Sequence, residues 1–357
     1  MNHFSKIAAC LEGQGLDAVL LTEEANRFYA SGFRSAGTDG IALVTRRGNY
    51  YFTDSRYTEA AERQVQDAQI REVGRGRGYA ALLREVIAAE GIARMGFDDG
   101  AMTVRDHTRY QKELTCQLVP ATDWLEELRA RKDPAELEVM IEAQRIAERA
   151  LTEVYNAIRP GITEKEIAAR IQYWMLHYGA EDKSFDPIVV SGANGSLPHG
   201  VPSEKEIQSG EFVTIDMGCV YHGYCSDMTR TVAVGSVTEE MRTVYETVLA
   251  AQRAGIAAAR AGATGKAVDA AARDVIAAAG YGAYFGHSFG HGVGVEIHEA
   301  PNATPSNEKP LPARAVISAE PGIYLPGKMG VRIEDVLYLT EEGCRNLTQM
   351  PKELLIL

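Results

Sequence analysis

Short apolar runs alternate with helical patterns in the first third of the chain. Three runs have the length and composition of strands: 17–22 (DAVLLT), 41–45 (IALVT) and 50–54 (YYFTD). Helical periodicity covers three stretches: 57–66, 79–90 and about 103–114. The segments REVG, RMGF and QLVPA are shorter strand candidates between these helices. Strands that alternate with helices predict an α/β layer domain.

The hydrophobic pattern changes near residue 130, where a strong helix start occurs. Asp133 is an N-cap acid, Pro134 occupies the first helical position and Glu136 the third. This combination satisfies the free N–H groups at the beginning of a helix. It predicts a long helix that reaches about Ile158 and is stopped by the Pro-Gly pair at 160–161.

The remainder of the chain mixes helices with glycine-bounded strands. Thr163 and Glu166 form a capping box for a second helix. From Ser184 onward the pattern becomes strand-rich, and the alanine-rich stretch 240–279 returns to helix with an interruption at 262–265. No fixed-period repeat is present, so the second part of the chain is not predicted to be a solenoid.

Length and charge narrow the class of protein. At 357 residues the chain exceeds the size at which one hydrophobic core stops growing, so we predict two domains, residues 1–130 and 131–357. A formal net charge of -12 opposes binding to phosphate backbones and anionic lipid, and we expect neither nucleic acid nor membrane as a partner.

The first residues lack a signal-peptide core, and five scattered cysteines do not indicate a disulfide framework. We therefore expect a cytoplasmic protein.

Four acidic residues of the second domain stand in or beside apolar runs, where an unpaired charge is costly. Asp216 ends the run FVTID, and Glu320 ends AVISAE before a Pro-Gly stop. Asp227 follows Asp216 by eleven residues across a turn candidate, a spacing that suits a hairpin and brings both carboxylates to one place. Glu334 lies in the strand pattern GVRIEDVLYL, with Arg332 on the same face.

Together these acids predict a metal site. Any one of them alone is more simply explained as a salt bridge or turn contact. Four negative charges with only Arg332 close in sequence, however, call for two divalent cations. Oxygen-rich ligation with a single imidazole favours manganese, with cobalt, iron or zinc as alternatives. Two adjacent ions also provide a chemistry, because a water between them becomes a hydroxide nucleophile near neutral pH.

Histidines give a second signal. His287, His291 and His298 crowd into FGHSFGHGVGVEIHE, and His199 stands in SLPHG ahead of the first acidic strand. A lone histidine is usually a hydrogen-bonded core residue, and we interpret the four other histidines of the chain in that way. For the cluster, a ligand or catalytic role is favoured.

The ordered segments IDMG, SDMTRT, GHGVG, AEPG and VRIED resemble the metal-binding motifs of Xaa-Pro aminopeptidases and prolidases. The segment FTDSRYTEAA is similar to the creatinase-like domain that precedes the catalytic domain in that family. The resemblance extends over essentially the whole chain. It implies an α/β (α+β) fold, in which a creatinase-like N-terminal domain is followed by a pita-bread catalytic domain with two pseudo-symmetric halves.

The resemblance also implies a ligand set, because all five metal ligands of the family are matched: Asp216, Asp227, His291, Glu320 and Glu334. Asp227 and Glu334 would bridge both metals. Asp216 would complete one ion, whereas His291 and Glu320 would complete the other.

Further catalytic roles are implied in the same way. Glu320 would handle protons from the bridging water, and His298 would stabilise the oxyanion of the tetrahedral intermediate. His199 and His287 would position the substrate and leaving group, and Arg332 matches the family's active-site arginine.

The implied activity is hydrolysis, by a metal-bridging hydroxide, of the bond between an N-terminal residue and proline. The expected partners are peptides with proline at the second position and a second copy of the chain in a homodimer. The alternative of a prolidase limited to Xaa-Pro dipeptides stays open, because the choice between the two activities depends on whether loops close the pocket beyond the proline.

Metal-free creatinase-like hydrolases and non-catalytic binding proteins of this fold lose ligands that this chain keeps. The N-terminal domain disfavours a methionine aminopeptidase.

Overall fold

The structure, a computed structural model, describes residues 1–357. The chain divides into two compact units, Met1–Arg129 and Ala130–Leu357. Both units combine helices with strands, as the hydrophobic pattern predicted. No helix in either unit has the length and apolar character needed to cross a membrane.

A six-stranded sheet forms the middle of the first unit. Its strands are β1 (Ala18–Leu21), β2 (Gly40–Thr45), β3 (Asn49–Thr53), β4 (Gln69–Glu72), β5 (Arg94–Phe97) and β6 (Gln117–Pro120). They are arranged in the order β4-β3-β2-β1-β5-β6. The central strands β1 and β2 are buried along their whole length, which explains why their sequences read as continuous apolar runs. The strands predicted in this part of the chain are therefore confirmed.

Six helices accompany that sheet: α1 (Phe4–Leu11), α2 (Glu24–Ser31), α3 (Thr58–Gln64), α4 (Tyr79–Glu90), α5 (Val104–Glu113) and α6 (Thr122–Ala130). The sequence pattern predicted α3, α4 and α5 but missed the other three. In α2, seven consecutive residues from Ala25 to Ser31 are buried. Three of the seven, Asn26, Arg27 and Ser31, are polar, and burial of polar residues departs from the one-sided apolar stripe by which a surface helix is recognised.

The second unit begins with two helices and a set of short strands, which we call the first half. They are α7 (Pro134–Tyr155), α8 (Glu164–His177), β7 (Asp182–Lys183), β8 (Ile188–Ser191), β9 (Phe212–Met217), β10 (Cys219–Tyr221), β11 (Tyr224–Cys225) and β12 (Met228–Ala233). The predicted capping box of Asp133 and Glu136 is present at the start of α7. The predicted end near Ile158 is wrong. The helix stops at Tyr155 because the N–H groups of residues 157 and 158 donate to carbonyls three residues back, which tightens the last turn.

The rest of the second unit, the second half, repeats this composition. Its elements are α9 (Glu239–Ala258), α10 (Gly265–Ala278), β13 (Gly290–Gly292), β14 (Glu299–Ala303), β15 (Val316–Ala319), β16 (Gly322–Leu325), β17 (Met329–Arg332), β18 (Asp335–Leu339) and β19 (Cys344–Asn346). The predicted helical interruption at 262–265 separates α9 from α10. These two helices pack against each other, as α7 and α8 do.

The two halves share one order of elements. In the first half, β8, β9 and β12 form an antiparallel sheet, and the hairpin β10–β11 is inserted between β9 and β12. In the second half, β13, β15 and β18 pair in the same antiparallel way, and the hairpin β16–β17 is inserted between β15 and β18. The pita-bread arrangement of two similar halves is therefore present, although the sequence alone does not display it.

Candidate metal centre

Two aspartates meet at one end of the first-half sheet. Asp216 lies in β9 and pairs across the sheet with Thr229 of β12, whereas Asp227 directly precedes β12. Between them, the turn of the β10–β11 hairpin is made by His222 and Gly223, which adopt positive φ angles of 44° and 78°. A two-residue turn with both φ angles positive matches the twist of the flanking strands. The eleven-residue spacing thus brings both carboxylates to one place, as predicted.

The second half presents its candidate ligands at the corresponding positions. Glu320 directly follows β15, Glu334 directly precedes β18, and His291 is the central residue of β13. All nine residues proposed from the sequence line one cavity of about 860 Å³: Asp216, Asp227, His291, Glu320, Glu334, His199, His287, His298 and Arg332. None of the nine lies elsewhere.

Three ligand atoms converge most closely. Asp227, His291 and Glu334 each offer one atom, and these atoms lie within 4.8 Å of one another. The Nδ1 atom of His291 is 3.1 Å from the carbonyl oxygen of Gly292, which can only accept a hydrogen bond. Nδ1 therefore carries the proton, and Nε2 keeps a lone pair for a cation. Nε2 lies 3.5 Å from Asp227 Oδ2 and 3.2 Å from Glu320 Oε1.

Hydroxyl groups orient two of the carboxylates. Thr229 Oγ1 donates to Glu334 Oε2 over 2.7 Å, and Ser318 Oγ donates to Glu320 Oε1 over 2.9 Å. Ser318 Oγ also accepts the backbone N–H of His291 over 3.0 Å. Groups of this kind fix the direction of a metal ligand without contacting the metal.

Only one of the two carboxylate oxygens of Asp216 has a hydrogen-bond partner. Its Oδ2 atom accepts a hydrogen bond from Arg332 Nη2 over 2.7 Å. Its Oδ1 atom is buried and has no hydrogen-bond partner. An unsatisfied buried acceptor costs about 1–3 kcal/mol, and more when it is charged. A cation at this oxygen would remove that cost.

The pKa values of three of the acids are raised because these acids are buried close to one another. Burial, together with the negative charges of neighbouring carboxylates, raises the pKa of Asp227 and of Glu334 well above the ordinary range. Burial also raises the pKa of Asp216, although the Arg332 guanidinium acts against it. The protein groups around these three acids therefore supply too little positive charge to favour their ionised form.

His291 and Glu320 behave in the opposite way because they face each other. Burial raises the pKa of Glu320, but the hydrogen bond and charge of His291 outweigh this and lower it to about 2. Burial lowers the pKa of His291, but Glu320 and Asp227 outweigh this and raise it to about 9. In the protein without metal, Nε2 of His291 therefore holds a proton. The positive charge of that proton lies next to the carboxylates of Asp227 and Glu320.

A chain of hydrogen bonds joins Arg332 to His287 through Tyr324. Nδ1 of His287 donates to the carbonyl of Ser288 over 2.9 Å, so Nε2 accepts from the Tyr324 hydroxyl over 2.9 Å. That hydroxyl accepts in turn from Arg332 Nη1, also over 2.9 Å. The remaining contacts of Arg332 go to Asp216, to Thr229 Oγ1 and to the carbonyl of Pro198. Arg332 and His287 are therefore largely engaged with protein groups.

Sequence reasoning missed Tyr324. In the register of the β16–β17 hairpin, Gly322 lies opposite Arg332 and Tyr324 lies opposite Gly330. Tyr324 therefore shares a face with Arg332, and strand alternation could have revealed it once the hairpin was recognised. A Cβ atom on Gly322 would lie 2.6 Å from the Tyr324 hydroxyl oxygen. Glycine at that position leaves room for the tyrosine.

Helix α10 holds the segment that carries His287. Asp269 and Arg273 form a bidentate ion pair with distances of 2.7 and 3.0 Å. Arg273 donates to the carbonyls of Phe285 and His287 over 2.9 and 2.7 Å, and Asp269 Oδ1 accepts the backbone N–H of Phe289 over 2.9 Å. The backbone on both sides of His287 is thereby fixed.

The two other cavity histidines differ in their surroundings. The ring of His298 lies edge-on to the ring of His291, with 4.3 Å between the centroids. Burial lowers the pKa of His298. His199 stands in the connection between β8 and β9, next to Pro198 and Gly200 in the cavity wall. These positions put one histidine from each half beside the ligands.

The donor set fits a pair of divalent ions. Four buried or nearly buried carboxylates share the cavity with one arginine, and His291 is the imidazole that contacts two of them. One carboxylate oxygen has no partner. Oxygen ligands with a single imidazole suit hard or borderline divalent metals. Asp227, His291 and Glu334 converge most closely, and Asp216 and Glu320 line the same cavity.

Comparison with known proteins gives one consistent family. The family model described as "Metallopeptidase family M24" matches residues 138–341, and the one described as "Creatinase/Prolidase N-terminal domain" matches residues 4–131. An uncharacterized peptidase of Bacillus subtilis is 42% identical over 96% of each chain. A Bacillus anthracis structure titled Xaa-Pro dipeptidase is 39% identical over 99% of each chain with a TM-score of 0.93. A Thermotoga maritima structure titled X-Pro aminopeptidase is 36% identical over 100% of each chain with a TM-score of 0.94.

Proposed function

The chain belongs to metallopeptidase family M24, and on that premise we propose that it cleaves the bond between an N-terminal residue and a proline at the second position. The reaction would use two divalent ions held by Asp216, Asp227, His291, Glu320 and Glu334. Manganese is the ion we propose, with cobalt, iron or zinc as alternatives. The assembly we propose, from the resemblance, is a homodimer.

The observation that carries the proposal is the convergence of carboxylates on one cavity. Asp227, Glu334 and Asp216 all have raised pKa values, chiefly because they are buried. Asp216 Oδ1 also lacks a partner. Burying this many acids without cations would be strongly unfavourable. Divalent ions at the centre of the group would offset that cost and hold the acids in their charged form.

Ions bound there would supply Lewis acidity and a water that ionises near neutral pH. The residues of the chain would do the rest. Glu320, oriented by Ser318, would take the proton of the attacking water and pass it to the proline nitrogen. His298 would donate a hydrogen bond to the developing oxyanion. Arg332 would keep Asp216 and Thr229 in position, since it donates to both over 2.7 and 3.0 Å.

Apolar side chains of the cavity support a proline subsite. Phe185, Pro187, Ile188, Val201 and Pro202 are among the residues that line it. Proline has no backbone N–H, so selection for it must come from shape and from hydrogen bonds to the flanking carbonyls. A cavity of about 860 Å³ lies toward the upper end of the range of roughly 300–1,000 Å³ for ligand sites. That size supports acceptance of Xaa-Pro-Xaa peptides.

The second candidate is a dipeptidase limited to Xaa-Pro. It is favoured by the Bacillus anthracis structure titled Xaa-Pro dipeptidase, which covers 99% of this chain. The two candidates differ only in whether a residue after the proline is accepted.

A peptide panel separates the candidates. Purified protein with manganese would be given Xaa-Pro, Xaa-Pro-Xaa and Xaa-Ala-Xaa peptides, and products would be identified by mass spectrometry. We expect release of the first residue from Xaa-Pro-Xaa at least as fast as from Xaa-Pro. Cleavage of Xaa-Pro alone would favour the dipeptidase. Rapid cleavage of Xaa-Ala-Xaa with no cleavage of either proline peptide would overturn the proline assignment.

A further inference from the structure

We propose that Glu164 is a positioning residue that holds the loop 192–202, here called the His199 loop, against the active-site cavity. The inference rests on the proposed function, in which His199 positions the substrate. Glu164 is the first residue of α8 and is fully buried. It does not line the cavity, although the next residue, Lys165, does. Glu164 can therefore act on a substrate only through other residues.

The carboxylate of Glu164 joins the two ends of the His199 loop. Its Oε1 atom accepts the backbone N–H and the hydroxyl of Ser191 over 2.7 and 2.9 Å. Its Oε2 atom accepts the backbone N–H and the hydroxyl of Ser203 over 3.1 and 2.7 Å. Asn194, inside the loop, donates to both oxygens over 3.2 and 3.3 Å. One side chain thus fixes the residue before the loop, the residue after it, and a residue within it.

These contacts distinguish Glu164 from an ordinary buried ion pair. Each of its side-chain hydrogen bonds comes from a neutral donor, and it forms no salt bridge. The ammonium of Lys205 contacts the Ser191 hydroxyl over 2.9 Å and pairs with Glu211 over 2.6 Å. Hydrogen bonds to an ionised acceptor are about twice as strong as neutral ones. A carboxylate bound only by donors of one loop and its ends is suited to hold that loop.

The apolar side chains beside His199 do little to hold the loop. Leu197 and Val201 are 55% and 82% exposed, so their burial contributes little to loop order. The first part of the loop, Gly192–Ser196, is a 3-10 turn, in which Ser196 Oγ accepts the Gly327 N–H over 3.3 Å and Gly195 closely approaches Gly330. Next to His199, Arg332 Nη1 donates to the carbonyl of Pro198 over 3.1 Å. Glu164 therefore fixes the base of the loop, and Arg332 fixes the part next to His199.

Substitution of Glu164 by Gln keeps the size of the side chain but turns one acceptor into a donor that faces other donors. We expect the Glu164→Gln variant to lose about 10- to 100-fold in kcat/KM through misplacement of His199. The matched control is Glu166→Gln, because Glu166 lies on the same helix but pairs only with exposed Arg170 over 3.6 Å. That variant should keep wild-type activity, and both variants should bind as much metal as wild type.

A double-mutant cycle with His199→Ala tests whether Glu164 acts through His199. If it does, adding Glu164→Gln to His199→Ala should lower kcat/KM less than about threefold further. Losses that multiply instead would show that Glu164 supports the fold generally, and would overturn the proposal. Should Glu164→Gln fail to fold, Ser203→Ala removes one hydrogen bond at the same place and enters the same cycle.

Hydrogen exchange gives a readout that needs neither metal nor activity. Exchange of peptides covering 192–202 should be faster in metal-free Glu164→Gln than in Glu166→Gln, while exchange of β9 stays unchanged. Equal exchange in the two variants would overturn the proposal even if wild type is an active peptidase. A wild type that cleaves no peptide would refute the proposed function instead, and the exchange comparison would still decide whether Glu164 orders the loop.

Discussion

The two halves of the second unit place their candidate ligands at equivalent points of one topology but supply different chemistry. The first half offers Asp216 in the central strand β9 and Asp227 before β12. The second half offers Glu320 after the central strand β15 and Glu334 before β18, and it adds His291. Each half thus contributes one acid on each side of its inserted hairpin. Neither half alone contains the five candidate ligands.

Positive charge is distributed unevenly between the halves. His291 and Arg332, the cationic groups next to the carboxylates, both belong to the second half. The salt bridge of Asp216 therefore crosses to the other half, over 2.7 Å to Arg332. Thr229 of the first half donates to Glu334 of the second. The site forms only when both halves are folded and paired.

The halves also hold their histidine segments differently. Glu164 of α8 binds the ends of the His199 loop through neutral donors alone. Asp269 of α10 works together with Arg273, which donates to the carbonyls of Phe285 and His287. A common architecture therefore leaves the local chemistry of each half free to differ.

The largest expected effect comes from Asp227 and Glu334, the acids that directly precede β12 and β18. Asp227→Asn and Glu334→Gln should each lower activity by more than the roughly 10- to 100-fold typical of residues that only orient a ligand. Each change removes a charge where three ligand atoms converge within 4.8 Å. Steady-state kinetics and elemental analysis of both variants give the result. If one variant kept normal rate and metal content while the other lost both, the two positions would not be equivalent.

The next effect separates a histidine that would donate to the substrate from one that would hold metal. His298→Ala should lower kcat by roughly a hundredfold, the scale of removing one oxyanion donor, while metal content stays near wild type. His291→Ala is the comparison and should lose metal as well as rate. An unchanged kcat with a lower melting temperature would make His298 a structural residue.

A smaller effect concerns the ion pair that holds the His287 segment. Asp269→Asn should lower the free energy of unfolding by about 1.5–3 kcal/mol, because Asp269 is buried and its hydrogen bonds involve charged groups. The matched control is Glu353→Gln, which breaks the exposed pair with Arg253 and should cost at most about 1 kcal/mol. Urea denaturation of the three proteins makes the comparison. Equal stability of the two variants would remove the structural role of Asp269.

The candidate ligands could be predicted because each carries a local anomaly. A carboxylate at the end of an apolar run, such as Asp216 or Glu320, is visible in the sequence before any contact is known. The resemblance to known motifs then connected the separate segments. The central strands of the first unit were predictable for a related reason, since strands buried on both faces leave continuous apolar runs.

The residues that support the ligands could not be predicted because their roles depend on distant parts of the chain. Glu164 looks like an ordinary first-turn acid of a helix, yet its partner Ser203 lies 39 residues away. Tyr324 stands in an unremarkable strand, and it becomes part of the site only through His287, 37 residues earlier. Helix α2 was missed because it is short and buries polar residues such as Asn26 and Arg27. Local patterns do not record contacts of this kind.

The central claim is that both halves together hold two divalent ions that peptide hydrolysis requires. The most direct measurement is a manganese titration of chelator-treated protein, with elemental analysis of bound metal and the initial rate on an Xaa-Pro-Xaa peptide followed together. We predict that the metal-free protein is inactive and that the rate reaches its maximum when two ions are bound per chain. Full hydrolysis by protein containing no metal would contradict the account.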